Sequence, residues 1–331
     1  MASGIFKYTP IDRSSRQIRL LKFIPNVGLG DNLIRCYLET YEISQCPSFI
    51  ALSYTWGEDS PGHKITLNRR PYFVRDNLWA VLCVLKSLIR PDLEPTNMPS
   101  ITGSMPIDQQ FNSKKLWNRF WVDAICINQQ GDFERGHQVN MMRDIFSSAD
   151  SVIAWLGPEY DDSNLAMHSL FHLPDRDWCP GYWGEYEQEL KKSEKAIANL
   201  FMRPYWSRMW IIQEFILPSH IFILCGQLSF WRSDSWLNFT RLPETATEQK
   251  VVGKILPGYR SYWRSCSPYY HQRILHLLLS TFSKWSCSDP RDKVFALLGL
   301  IGDITSLSIP RLYPRTPVPL LADYTISPRE L

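Results

Sequence analysis

The sequence predicts an α/β fold: a parallel sheet core flanked by helices, with additional β-hairpin and helical insertions. Three short runs carry that expectation: FIALSYTW (49–56), RFWVDAI (119–125) and SVIAWLG (151–157). They are nearly continuous apolar segments, as strands buried on both faces of a sheet are. Each leads through a polar turn or loop toward an amphipathic helical pattern. Such β-α alternation implies parallel strands covered on both faces, with functional loops at their carboxyl ends.

Taken in order, residues 17–24 and 36–43 are rich in β-forming or alternating residues and predict two further strands. After Trp56, the run Gly57-Glu58-Asp59-Ser60-Pro61-Gly62 is strong turn chemistry. KITL (64–67) and PYFV (71–74), separated by Asn68-Arg69-Arg70, read as a small hairpin. Asp76 then caps a helix whose Leu78, Val81, Leu82, Leu85 and Leu88 recur at helical spacing. Residues 91–113 hold four prolines and few large apolar side chains, so they are read as a surface loop or insertion.

Beyond the second buried strand, CINQQGD (126–132) is a polar loop, and Val139, Met142, Ile145, Phe146 and Ala149 form one face of a following helix. A capped helix is expected over 161–173, then a Trp/Pro/Gly-rich interruption at 174–184, helices at 193–202 and 207–217, and a last strand, HIFILCG (220–226). The remainder, 232–331, is expected to be mostly helical, with Asp289 as a cap and Pro290 in the first turn of PRDKVFALLGLI. The final residues carry no terminating signal, and the sequence is read as the front part of a longer chain.

Composition narrows the function classes. With 36 basic and 33 acidic residues, a net charge of +3 and no long run of one sign, the chain lacks the electrostatic footprint of a nucleic-acid binder. No stretch approaches the ~18 apolar residues of a spanning helix, and the amino terminus lacks the apolar core of a signal peptide. A cytoplasmic protein without a membrane span is the expectation. Eight cysteines at wide spacing, with no CxxC pair, argue against a zinc site or a disulfide framework. No GxSxG, HExxH or Walker A loop is present, and Gly28-Leu29-Gly30 lacks the third glycine of a dinucleotide fingerprint.

Candidate site residues come from charges written into apolar surroundings. In SRMWIIQEF (207–215), Ser207 is a plausible cap, and Trp210 and Glu214 lie four apart on one helical face. Two readings of Glu214 stand at this point. An indole beside a desolvated carboxylate would raise its pKa or present negative charge to a cationic group; alternatively, Glu214 lies exposed on a polar helix face, paired with Arg208. Asp123 interrupts an apolar strand and needs a partner or the strand's end. Asn128, Gln129, Asp132, Glu134 and Arg135 follow, able either to bind ribose or phosphate oxygens or simply to cap and solvate the helix. Cys126 with His137 is a weaker thiol-base candidate.

Several stretches together resemble the fungal heterokaryon-incompatibility (HET) domain. They are ALSYTWGE (51–58), Asn77-Leu78, WVDAICINQ (121–129), ERGHQVNMM (134–142), ADSVIAWLG (149–157), RPYWSRMWIIQE (203–214), Cys225-Gly226 and DPRDKVFALLGL (289–300). The resemblance implies a single HET domain over 1–331, with a core at about 45–230, a β extension at 15–44 and a mostly helical extension at 232–331. The long 91–113 loop and a Phe at 146, where a Tyr is more usual, depart from the pattern.

HET domains in turn resemble TIR domains, and the likeness implies a TIR-like, flavodoxin-like core. SRMWIIQE is similar to the TIR segment in which a Trp precedes the catalytic Glu by four residues, which falls on Trp210 and Glu214. That likeness implies cleavage of the nicotinamide–ribose bond of NAD, taken as substrate rather than cofactor, with Glu214 catalytic. Tyr54, Trp56, Gly57, Asp123, Asn128, Arg135 and Trp210 are then the expected substrate contacts. It also implies self-association into a homo-oligomer on activation, a receptor-type partner and a cell-death outcome. No metal is expected. A signalling module without turnover, acting through protein contacts, and a nucleotide sensor are the competing readings.

Overall fold

Two of the three buried runs are five-residue strands buried throughout, Ile50–Tyr54 and Ser151–Trp155, and they pair in parallel along their whole length. The computed structural model describes residues 4–24, 33–59, 62–88, 119–171, 183–231, 256, 259–260, 275–301, 321–325 and 327. The strands are β1 (Gln17–Phe23), β2 (Arg35–Glu42), β3 (Ile50–Tyr54), β4 (His63–Leu67), β5 (Arg70–Val74), β6 (Arg119–Trp121), β7 (Ser151–Trp155), β8 (Ile221–Cys225) and β9 (Leu228–Trp231). All of them join one mixed sheet in the order β5-β4-β2-β1-β6-β3-β7-β8-β9.

At its centre β6, β3, β7 and β8 run parallel. On the β6 side β1 pairs antiparallel, followed by β2 and the β4-β5 hairpin. The amino-terminal strands and the hairpin therefore extend the core sheet, which satisfies the backbone groups of a strand edge that would otherwise stay open. The hairpin turn is the two-residue Asn68-Arg69, both with positive φ (49° and 64°), as a primed turn requires.

The helices are α1 (Asp76–Leu88), α2 (Asp123–Cys126), α3 (Asp132–Asn140), α4 (Met142–Ser148), α5 (Ser163–Phe171), α6 (Trp183–Phe201), α7 (Ile211–Ile216), α8 (Leu275–Phe282) and α9 (Asp292–Leu298). Several differ from expectation for local reasons. The strand expected over 119–125 stops at Trp121, because Val122 O accepts from the amides of Ile125 and Cys126 and turns the chain into α2. The single helix expected after Asp132 is two, divided at Met141, whose amide bonds back to Gln138 O. The final strand has a partner the sequence reading missed: Gly226, at φ 57°, opens a two-residue turn into β9. The helix expected at 193–202 is the end of the longer α6. The 91–113 loop lies outside the described residues.

The helix expected over 207–217 is the largest revision. Ser207 caps nothing; it closes a 3₁₀ turn, Pro204–Ser207, and its Oγ donates to Pro204 O. Trp210 is the N-cap of α7, and all six residues of α7 are buried. It packs against β7, α4 and α9. The carboxyl-terminal region thus closes over α7: Met209 N donates to Ser286 O and Ser286 N to Ser207 O, on either side of Arg208. Arg260 donates to the carbonyls of Phe215, Ile216 and Ser219, filling the helix's open carboxyl end.

Gly299, the penultimate residue of DPRDKVFALLGL, is set by this packing. A Cβ there would fall on the amide of Gln213, which is 2% exposed and unable to swing into solvent. Gly299→Ala is therefore expected to destabilise by roughly 1–3 kcal/mol, as overpacking does, read as a lowered urea midpoint with unchanged slope.

Candidate functional site

The site forms where β3 and its neighbour β6 deliver the chain at their carboxyl ends. Ser53 and Tyr54 are consecutive, so their side chains leave opposite faces of β3. Ser53 Oγ donates to Glu214 Oε2 at 2.5 Å, and the Tyr205 hydroxyl lies 2.9 Å from Ser53 Oγ. With the serine proton directed at the carboxylate, Tyr205 is the donor to the serine oxygen. Arg208 Nη1 stands 3.5 Å from the same Glu214 oxygen. Glu214 is 3% exposed.

Asp123, the first residue of α2, sits on the other branch. Its carboxylate accepts from Trp56 Nε1 at 2.7 Å, from the amide of Ala124 at 2.7 Å and from the Tyr54 hydroxyl. Two tyrosines, Tyr72 of β5 and Tyr8 of the amino-terminal arm, brace this helix: Tyr72 donates to Ala124 O and Tyr8 to Ile125 O, both at 2.9 Å. Gln129 Nε2 donates to Asp123 O.

Burial pushes the Glu214 carboxyl above the usual carboxylate range; Arg208 and the Ser53 bond oppose this, and the charge of Asp123 adds to it. Asp123 is raised for the same first reason, against the pull of Arg208 and its own hydrogen bonds. One guanidinium thus serves two desolvated acids. Because the folded pKa of Glu214 exceeds the unfolded one, its contribution to stability is complete below the unfolded value, near pH ~4, and is lost as pH rises through the raised folded value. The stability of the protein relative to a Glu214→Gln variant is therefore expected to fall between acidic and neutral pH, measured by urea melts of both at matched pH.

The fold gathers Tyr54 and Trp56 on Asp123, and Glu214 is coupled to that group through the charge of Asp123. Gly57 lies one residue beyond, in the left-handed region at φ 74°, with its carbonyl held by Arg75. Arg75 also stacks over the Trp56 ring. Asn128 closes its own loop, its Oδ1 taking Gln130 N and its amide donating to Glu134 Oε1. Arg135 pairs with Asp132 and stacks on Tyr324. Trp210 is bonded through its side chain to Asp292, away from Glu214. The exposed alternative for Glu214 is corrected by its burial, while its pairing with Arg208 holds.

Ser53 and Tyr205 were not singled out from sequence. Ser53 had a signal, as the one aliphatic hydroxyl inside the buried run FIALSY, whereas Tyr205 read as ordinary aromatic filling. Cys126 is buried against Val122 N, its thiol pushed up to about 12, which removes it as a nucleophile at neutral pH. Six of the described cysteines are free thiols, and Cys179 and Cys266 lie outside the described residues. Among the described residues no group of three or more His, Cys, Asp or Glu could hold a metal ion, and no helix is long and apolar enough to cross a membrane.

Fold and site define an α/β protein with two acids, Glu214 buried and Asp123 half-buried, under the charge of one arginine near the carboxyl ends of its parallel strands. Residues 105–214 match the family model "Heterokaryon incompatibility protein (HET)", a span that contains Asp123, Arg208 and Glu214. The chain is 29% identical over 369 aligned positions to "Heterokaryon incompatibility protein 6, OR allele" of Neurospora crassa, covering 93% of the chain. It spans 51%, about half, of that relative's length. Over most of its length the chain is thus similar to a heterokaryon-incompatibility protein, and its central third matches the family model. No solved structure matches it.

Proposed function

We propose that this protein is a heterokaryon-incompatibility effector whose acidic centre cleaves the nicotinamide–ribose bond of NAD once the chain self-associates. The observation that carries the reading is Glu214: a desolvated carboxylate beside Asp123, at the carboxyl ends of adjacent parallel strands. Ligands of open α/β sheets bind at that end. The parallel strands β6-β3-β7-β8, numbered by their own chain order, run 2-1-3-4. That order is compatible with the flavodoxin-like, TIR-like core the resemblance implies, and with residues 1–331 acting as one HET domain.

The chemistry asks for little more. As the glycosidic bond breaks, its electron pair leaves with nicotinamide, which becomes neutral, and positive charge spreads over the ribose C1′–O4′ unit. An ionised Glu214 stabilises that charge or holds a ribose hydroxyl. Water then adds at C1′ and gives up a proton, for which Asp123 is the nearby acceptor. Trp56, half-buried, offers an aromatic face beside Asp123, with Tyr54 buried behind it. NAD is substrate here, and the scheme uses neither metal nor thiol. Cytoplasmic NAD, a second copy of the chain and a receptor-type protein are the partners in this reading; nucleic acid is not.

A second reading, a signalling module without turnover, draws on a specific observation: Glu214 is 3% exposed and already engaged by Ser53 and Arg208. A substrate reaches it only if Arg208 moves aside. The deciding experiment measures nicotinamide release from NAD by dilute and by artificially clustered protein. Release that appears on clustering supports the enzyme. Absence of release in clustered protein that still kills cells sinks it and leaves the module.

A further inference from the structure

Two of the residues expected to contact substrate are tied to a segment from the far end of the chain, Arg135 directly and Trp210 through Asp292. Residues 321–325 lie across α3 and α9. The Ala322 amide donates to Asn140 Oδ1 at 2.7 Å, and Asn140 Nδ2 returns a bond to Ala322 O at 3.0 Å, so the side-chain amide acts as a strand partner. Gly136 faces this carbonyl, with the position of a Cβ 3.6 Å from it.

Tyr324 is the fastening. Its ring stands against two guanidinium groups, Arg135 at 4.4 Å and Arg291 at 5.1 Å, and meets Phe295 edge-on. Its hydroxyl donates to Asp292 Oδ1 at 2.6 Å. Asp292, 9% exposed, is the same carboxylate that engages the side chain of Trp210. Arg291, clamped to Asp289, donates to Tyr324 O at 2.7 Å. Arg135 keeps a buried Nε with no hydrogen-bond partner among the described residues. Apart from the small buried Ala322 and the contact with Phe295 the attachment is polar and cationic, and Leu321, Asp323 and Thr325 stay exposed. Segments with so little buried apolar area open at small free-energy cost.

We propose that residues 321–325 are a releasable latch, fastened by Tyr324, that holds Arg135 and Trp210 closed and frees both for ligand when it detaches. The ligand it competes with carries an aromatic base and a phosphate, since a guanidinium face, an unpaired Nε–H and an indole suit those groups. The latch's regulatory meaning rests on the reading of the acidic centre as a nucleotide site.

The test uses the full chain with Asn140→Ala, which touches only the latch backbone, and with Tyr324→Phe and Tyr324→Ala. Amide exchange of Ala322 reports detachment. Peptide mass spectrometry after phenylglyoxal and hydroxyl-radical treatment reports accessibility of Arg135 and Trp210, and NAD is the probe for nicotinamide release. Losing one hydrogen bond at ~1 kcal/mol, or two, predicts exchange and labelling faster by about five- to thirtyfold. Nicotinamide release should rise with them. Faster exchange at Ala322 with unchanged labelling of Arg135 and Trp210 overturns the latch. So does increased labelling with release no higher than in the wild type, when the wild type itself releases nicotinamide. Increased labelling with no release from any variant, clustered or not, upholds the latch and defeats the NAD reading instead.

Discussion

Glu214→Gln should lower nicotinamide release from NAD by about a hundredfold or more, the loss typical when one preorganised electrostatic stabiliser is removed from a transition state. The amide keeps the size of the carboxylate and an oxygen for Ser53 Oγ, so the fold around α7 is retained while the charge is not. KM should change little if the carboxylate acts mainly on charge that develops as the bond breaks. The pH dependence has a definite sign. Burial raises the Glu214 pKa, so its ionised fraction, and with it the rate, should rise as pH climbs through that raised value. A variant with wild-type release, or a wild-type rate that falls over that range, would remove Glu214 from the chemistry.

The largest stability effect is expected away from the acidic centre, at Glu134. Its two oxygens meet Arg19 Nη1 at 2.6 Å and Nη2 at 3.0 Å, with side-chain exposures of 11% and 3%. Arg19 also donates to Cys126 O and Thr9 O, and Glu134 accepts the amide of Asn128. The pair therefore joins β1, the amino-terminal arm, α2 and the 127–131 loop. Glu134→Ala leaves a guanidinium buried without its counter-charge and should cost about 3–5 kcal/mol. A double replacement, Arg19→Met with Glu134→Leu, should recover most of that loss, since an apolar pair avoids the uncompensated charge. Urea denaturation of the three variants checks both statements. A single variant within 1 kcal/mol of wild type, against the ~3–5 expected, would show that the pair is not load-sharing in this way.

Much of the centre of this molecule was legible in the chain itself. The runs at 49–56 and 151–157 read as buried strands, being short, apolar, without a solvent face and bounded by turn signals, and they contain β3 and β7. Asp123 and Glu214 stood out for the complementary reason, as charges in surroundings that cannot solvate them. The hairpin at 64–74 followed from turn chemistry, read with a three-residue loop; the structure pairs Arg70 with Leu67 and leaves two, with the positive φ that Asn tolerates.

What the chain could not disclose were relations between residues far apart in it. Nothing local says that Ser53 meets Glu214 across 161 residues, or that Tyr324 closes on Arg135 and Asp292. Helix periodicity misjudged 207–217, because a segment buried on every side shows no polar stripe, and the carboxyl-terminal region that buries it lies some 80 residues on. Trp210 and Glu214 were rightly placed one turn apart, yet the indole engages Asp292 and the carboxylate engages Ser53 and Arg208. Sequence thus determined which groups are too polar to be buried without partners. The partners themselves were decided by tertiary packing, since a desolvated charge is satisfied by whichever donor the sheet and its covering helices bring within reach.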